Sequence, residues 1–395
     1  MERSITLKRN REEPLLRRHP WLFSGAVEKV SGDPELGDTV EILSSKGEWI
    51  ARGAYSPHSQ IRVRVWTWDP DEVVDADFIA SRVSTALHHR ELEENDENVQ
   101  AYREIHAESD MLPGVVVDRY ADFRVVQILS AGAEQWREAL QDALVAQGGC
   151  KGLFERSDLE VRALEGLEAR TGLMWGNEPP EHLQIQEGDL KYDVSIRTGQ
   201  KTGFYLDQRH NRQNVRKWIW GGSVLDGFCY TGGFALNAYR AGASAILALD
   251  SSEDAIHQAA QHSEINAIPG GAIEWRVADV FSELRKLRDE DRSFDVVILD
   301  PPRFAPTSAH IHKAARGYKD INLFAFKLLK PGGRLITFSC SGGVSPELFQ
   351  KIVSDAALDA GVNAQIREWL AQSSDHPVAT SFPEGRYLKG LVCTV

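Results

Sequence analysis

From Ser223 onward, short apolar runs alternate with stretches of helical periodicity. The runs close at Leu225, Leu249, Ala278 and Leu299, and the pattern between and after them predicts helices over Phe234 to Arg240, Ser252 to Ile265, Phe281 to Arg288 and His310 to Leu329. Regular succession of strand and helix predicts an α/β fold with a parallel, doubly wound sheet. Lys330-Pro331-Gly332-Gly333 ends the last of these helices and releases a strand over Arg334 to Phe338. A further helix starts at Pro346, and Leu388 to Val395 reads as a closing strand.

Upstream the pattern is different. Val40 to Leu43, Trp49 to Ala54 and Ile61 to Trp68 are short strands between Gly, Ser and Pro, and Ile61 to Val65 alternates with period two, one face apolar and the other basic. Residues 1–70 therefore read as a small β-rich domain. Residues 71–187 read as a central α+β domain: a helix over Ala76 to Glu94, strands over Gly114 to Asp118 and Phe123 to Leu129, a helix over Glu134 to Gln147, and a strand near Gly152 to Glu155. Gly172 to Pro180 has linker composition. Within the third domain, 188–395, Lys191 to Arg197 alternates and turns through Thr198 to Gly203 into Phe204-Tyr205-Leu206. This predicts a hairpin followed by a helix capped by Asp207.

Composition narrows the class. Of 395 residues, 42% are hydrophobic and 26% charged, as in ordinary globular proteins. No run approaches the roughly 20 apolar residues that a membrane helix needs, and the polar start MERSITLKRNREEP has no signal-peptide pattern, so the expected location is the cytoplasm and no membrane partner is expected. Cys150, Cys229, Cys340 and Cys393 form no C-x-x-C pair, which predicts reduced thiols and no metal. A net charge of -13 argues against indiscriminate polyanion binding. Basic residues are nevertheless clustered, first at Arg3, Lys8, Arg9, Arg11, Arg17 and Arg18, and again at Arg197, Lys201, Arg209, Arg212, Arg216 and Lys217.

The stretch SVLDGFCYTGGF, 223–234, turns from strand to helix through a loop of small residues. Asp226 stands at the strand end, and Gly232 and Gly233 open the helix, whose free N–H groups face the crevice. Asp250 follows at roughly the 20-residue spacing of a carboxylate that grips ribose hydroxyls. Asp279 and Asp300 follow the next two apolar runs, so four successive strands end in an acid. Ligands bind at the carboxyl ends of such strands. Four acids there suit a ligand offering hydroxyls, an amine and a positive charge, as S-adenosylmethionine does, and would repel the pyrophosphate of a dinucleotide.

VLDGFCYTGGF, Asp250, Asn266, Asp279, DPPRF at 300–304 and TFSCSGG at 337–343 resemble the motif series of class I S-adenosylmethionine-dependent methyltransferases. With RRHPWLFSGAVEKV near the start and GQKTGFYLDQRHNR before the core, the chain resembles the bacterial 23S ribosomal RNA 5-methylcytosine methyltransferases of the RlmI type over nearly its whole length. The resemblance implies a Rossmann-like, mostly parallel seven-stranded sheet, an N-terminal RNA-binding PUA domain that includes Arg18 and Trp21, and a central domain that positions RNA. It further implies a cofactor site built from Asp226, Phe228, Tyr230, Gly232, Asp250, Ser251, Asn266, Asp279, Val280 and Asp300, with Lys201, Asp207 and Arg209 beside it. The implied partner is 23S rRNA or an assembling large ribosomal subunit; a homodimer is left open.

Carbon 5 of cytosine is too poor a nucleophile to take a methyl group directly, so the ring must first be activated by a thiolate adding at carbon 6. Cys340, at the end of the strand next to that bearing Asp300, is the candidate, with Asp300 as partner of the base and Pro301, Pro302 and Phe304 lining its slot. Arg303 stands where many RNA cytosine-5 methyltransferases carry a second cysteine, leaving the acceptor of the carbon-5 proton to Asp300 or a water. DPPRF also resembles the motif of enzymes that methylate purine exocyclic amines without a cysteine. A noncatalytic RNA-binding protein is the remaining alternative.

Overall fold

The computed structural model describes residues 3–304 and 311–395. The chain forms two compact units, one of Met1–Gln186, Val194–Leu206 and Asp375–Gly385, the other of Glu187–Asp193, Asp207–Ser374 and Arg386–Val395. Residues 194–206 and 375–385, expected in the third domain, thus belong with the first unit. The expected border near residue 70 lies inside that unit. The reason is packing: Ala54 and Trp66 share a core with Phe78, Ile79, Val117 and Leu140.

In the first unit, β1 (Ser4–Leu7), β2 (Trp21–Phe23), β3 (Val27–Ser31), β4 (Thr39–Leu43), β5 (Trp49–Tyr55) and β6 (Ile61–Thr67) form a six-stranded sheet in the order β2-β6-β5-β4-β1-β3. The basic face expected on β6 is partly consumed, because Arg64 is buried and ion-paired with Glu108 and Glu165. A second sheet, ordered β11-β10-β9-β8-β7, contains β7 (Ala101–His106), β8 (Val115–Tyr120), β9 (Phe123–Ile128), β10 (Gly152–Ser157) and β11 (Arg170–Gly176). The stretch expected to be a linker supplies β11, which pairs antiparallel with β10. The helix expected over Ala76 to Glu94 stops at His88, where Arg90 turns inward to bond the Arg103 carbonyl at 2.9 Å and the Asp110 carboxylate at 2.6 Å.

Two short strands, β12 (Leu183–Glu187) and β13 (Leu190–Val194), pair with each other. The expected partner of the 191–197 strand was 204–206. Instead 198–206 forms turns anchored to β8, with Thr202 Oγ1 donating to Asp118 at 2.6 Å and the Phe204 amide donating to the Tyr120 hydroxyl at 3.0 Å.

The second unit holds β14 (Ser223–Gly227), β15 (Ala245–Asp250), β16 (Ile273–Val277), β17 (Phe294–Leu299), β18 (Leu329–Ser339), β19 (Gln365–Ala371) and β20 (Lys389–Thr394). Their order is β16-β15-β14-β17-β18-β20-β19. The pairings from β16 to β18 are parallel, and β20 runs antiparallel to both neighbours. This is the doubly wound sheet read from the alternation, with β19 added. The Lys330-to-Gly333 turn falls inside β18 as an irregularity opposite Phe294, and the preceding helix is Ile311–Lys327. Its expected start at His310 lies outside the described residues. Leu225, Leu247, Val297 and Leu335, one from each of four neighbouring strands, share a core with Tyr318, Ile321 and Phe349 from the covering helices. The strand order reverses between β14 and β17, which opens a crevice at their carboxyl ends.

A buried ion pair lies against the first residue of the helix entering this crevice. Arg212 and Glu187 are both almost fully buried, with Nε donating to the carboxylate at 2.8 Å. Gly233 lets the pair form, since a Cβ there would lie 2.6 Å from Arg212 Cδ. Among the described residues, no helix is long and apolar enough to cross a membrane. Replacing Glu187 by leucine leaves the Arg212 charge uncompensated and should cost about 3 kcal/mol in urea unfolding, the usual penalty for breaking a buried pair.

Candidate active site at the carboxyl edge of the sheet

The loop after β14 is held in an unfavourable conformation. Phe228 and Tyr230 have φ of 64° and 49°, in the left-handed region that side chains disfavour. Two bonds to β15 and its end impose this: the Cys229 amide donates to the Leu249 carbonyl, and the Tyr230 amide to Asp250 Oδ2, each at 2.9 Å. Gly232, at φ 83°, caps the helix Gly233–Arg240, and the Trp275 ring lies where its Cβ would be.

Asp226 is fully buried, and neither carboxylate oxygen has a hydrogen-bond partner among the described residues. Burial, then the charge of Asp300, raises its pKa well above the usual carboxylate range; Asp250 adds to this, and the nearby Ala235 amide offsets it only in part. Asp250 is half-buried and oriented by the amides of Tyr230 and Ser252, each 2.9 Å away, with Ser251 exposed beside it. Asp279 is exposed and spends Oδ1 on capping the helix Val280–Asp289 through Ser282, while Val280 itself is in the core. Asp300 is half-buried, its amide reaching the Gly227 carbonyl at 3.3 Å.

Beyond Asp300, Pro301 is buried and Pro302 and Arg303 are exposed. Phe304 is half-buried, its ring packing 4.7 Å from Tyr318, 5.7 Å from Phe281 and 6.5 Å from Phe228 of the loop after β14, centroid to centroid.

Cys340 follows the last residue of β18, half-buried, and β18 is the parallel neighbour of β17, which ends at Asp300. The Tyr318 hydroxyl meets Ser341 Oγ at 2.9 Å. Lys389 donates to the carbonyls of Ser341 and Tyr387, both at 2.7 Å. Neither Lys389 nor Tyr318 was anticipated, although a lysine opening the apolar run 388–395 was a visible signal. Cys229 and Cys393 are unsuited to attack at neutral pH: burial pushes Cys229 well above the ordinary thiol value and Cys393 up to about 12.

Several expected site residues are engaged elsewhere. Asn266 bonds the amide and carbonyl of Lys191 at 2.8 and 2.7 Å and the His262 carbonyl at 2.8 Å, fastening β13. Asp207 does not cap the helix Arg209–Asn214, whose N-cap is Gln208; it accepts the Tyr387 hydroxyl at 2.7 Å instead. Arg209 is buried. Lys201 belongs to the first unit, where its ammonium lies 4.5 Å from the Tyr205 ring centre. Trp21, also there, gives its indole N–H to Glu108 at 2.7 Å and packs on Phe382, while Arg18 is exposed near Trp68. The second basic cluster is largely neutralised, Arg216 pairing with Asp189 and Lys217 with Glu368.

Comparison with known proteins bears on both units. Residues 5–68 match the PUA-like domain family, and residues 168–371 match the S-adenosylmethionine-dependent methyltransferase family. The chain is 51% identical over 393 residues to a ribosomal RNA large subunit methyltransferase I of Aeromonas hydrophila, covering 99% of each. It is 49% identical over 397 residues to the protein of that name from Photobacterium profundum, covering 100% of each. A solved Streptococcus mutans chain described as a candidate SAM-dependent methyltransferase superposes with a TM-score of 0.86 at 20% identity, each chain fully covered. A second solved chain, described as a candidate methyltransferase complexed with SAH, gives 0.87 at 21%, again with full coverage of both.

S-adenosylmethionine fits these residues. Neither Asp226 oxygen meets a hydrogen-bond donor among the described residues, and a cationic ligand with N–H groups would supply one and offset the repulsion from Asp300 and Asp250. Because the pKa of Asp226 is raised, the folded protein holds a proton that the unfolded chain releases, so this group's contribution to stability falls as pH rises from its unfolded value through its folded one. Binding of the cation should expel that proton. S-adenosylmethionine affinity measured by calorimetry should therefore rise with pH, by at most about tenfold per pH unit for one coupled proton. Asp226→Asn should lose this dependence and bind roughly 10- to 100-fold more weakly, the worth of a hydrogen bond to a charged group.

Proposed function

The chain belongs to the ribosomal RNA large subunit methyltransferase I family of S-adenosylmethionine-dependent enzymes, and on that premise we propose that it methylates carbon 5 of a cytosine in large-subunit ribosomal RNA through a transient Cys340 adduct. The cofactor, when bound, supplies an electrophilic methyl group on a sulfonium. Cys340, as thiolate, bonds carbon 6 of the base, and the ring electrons shift toward carbon 5. Asp300 hydrogen-bonds the ring nitrogen or amino group and stabilises the activated ring. Carbon 5 then takes the methyl group and loses its proton to Asp300 or a water. The carbon–sulfur bond breaks and the thiolate is restored, so the net change is one methyl gained and one proton lost.

The observation that carries this reading is the pairing of positions. Cys340 is a half-exposed thiol at the carboxyl end of β18, next to the strand that delivers Asp300, whereas Cys229 and Cys393 are buried. Asp226, Phe228, Tyr230, Gly232, Asp250, Ser251 and Asp279 belong to the strand ends and loops around the same crevice and form the proposed cofactor wall. Arg18 and its basic neighbours at the start of the chain, exposed on the PUA-like unit, supply phosphate contacts that help offset the cost of unstacking the target base, a few kcal/mol. Ribosomal RNA as substrate implies a cytoplasmic enzyme.

Cys340→Ala should abolish methylation of 23S rRNA while S-adenosylmethionine affinity stays at the wild-type value, and mass-spectrometric mapping of rRNA from cells with and without the gene should locate the modification at carbon 5 of one cytosine. Full activity in Cys340→Ala, or a methyl group on a purine amine, would instead assign the DPPRF segment to amine methylation.

A further inference from the structure

Lys389 is placed by backbone pairing. It opens β20 and lies opposite Ser339, the last residue of β18, so the turn that begins with Cys340 starts beside it. Its side chain is buried, with 4% of the residue exposed. Two of its three N–H bonds go to the carbonyls of Ser341 and Tyr387, and the Tyr318 hydroxyl holds the same turn through Ser341 Oγ. A buried ammonium costs several kcal/mol unless something nearby favours its charge. Two carbonyls supply part of that.

We infer that Lys389 is a positioning residue, the counter-ion that keeps the Cys340 thiol ionised for attack on the base. This rests on the reading of Cys340 as nucleophile. Lys389 itself is pulled down to about 8 by burial, opposed by the charge of Cys340, while Arg303 and Arg386 push it further down. Below about 8 the ammonium keeps its charge, so at neutral pH it is a cation bonded to the turn that carries Cys340. Above that value its proton leaves and its hold on the thiolate weakens. Arg303, Arg386 and the Tyr318 hydroxyl are the other titratable groups that sense this cluster.

Alkylation of Cys340 by iodoacetamide as a function of pH tests this on the full-length protein, in a Cys150→Ser background that removes the other half-exposed thiol. The wild-type midpoint should lie below that of a free thiol, about 8.5. Lys389→Met should raise it by about one pH unit and slow alkylation at pH 7 about tenfold, since only the thiolate reacts. Lys389→Arg, which keeps the charge, should restore most of the shift. A wild-type midpoint at or above the free-thiol value overturns the inference whether or not the variants fold, and so does a folded Lys389→Met protein with an unchanged midpoint. An active Cys340→Ala enzyme would sink the nucleophile reading and leave the alkylation data standing. An essential Cys340 indifferent to Lys389 would sink this inference alone.

Discussion

One carboxylate sits in the wrong place for a stable protein. Asp226 is sealed from water at the end of the central strand with neither oxygen hydrogen-bonded among the described residues, and a polar group buried without partners costs free energy even when neutral. Its neighbours make matters worse, since the charges of Asp300 and Asp250 oppose its ionisation. The loop beside it adds strain at Phe228 and Tyr230, of order 1–3 kcal/mol each, held by bonds to Leu249 and Asp250. Burial and strain at one strand end are costs that a cationic ligand bound there would offset in part.

Sheet topology distributes the chemistry around that constraint. Parallel strands β14, β15 and β17 bring Asp226, Asp250 and Asp300 to one edge, and β18 brings Cys340 to the next position along it. The antiparallel β20 matters for a different reason. Because it runs against β18, its first residue rather than its last meets the end of β18, and Lys389 is delivered to the same edge as the thiol. A parallel strand at this place in the sheet would put its carboxyl end there instead.

Much of this was legible in the chain. Apolar runs alternating with helical stretches, each run closed by an acid, specify the doubly wound sheet and the placing of acids at its carboxyl edge because both signals are local. What was missed depends on partners distant in sequence. In β7 the charges hide the strand: Glu104 is buried in AYREIH because Arg124 of β9 reaches it at 2.6 Å and Arg119 of β8 at 3.4 Å. Gly172 to Pro180 looks like a linker until β10 gives its first residues, up to Gly176, a strand to pair with. Asn266 reads as a cofactor ligand by its motif position, yet its amide is taken by the backbone of Lys191, whose proximity only folding creates. Lys389 is an unexplained charge in an apolar run until the register opposite Ser339 is known.

Burial and the Asp300 charge raise the pKa of Asp226, so its carboxyl should hold a proton more tightly in the free protein than with a cation bound beside it. Difference infrared spectroscopy on protein with carbon-13-labelled aspartate, recorded before and after adding S-adenosylmethionine, observes this directly. The account predicts a protonated-carboxyl stretch that disappears on binding and is missing from Asp226→Asn. A carboxyl already ionised in the free protein, or a protonated band that S-adenosylmethionine leaves untouched, would contradict it.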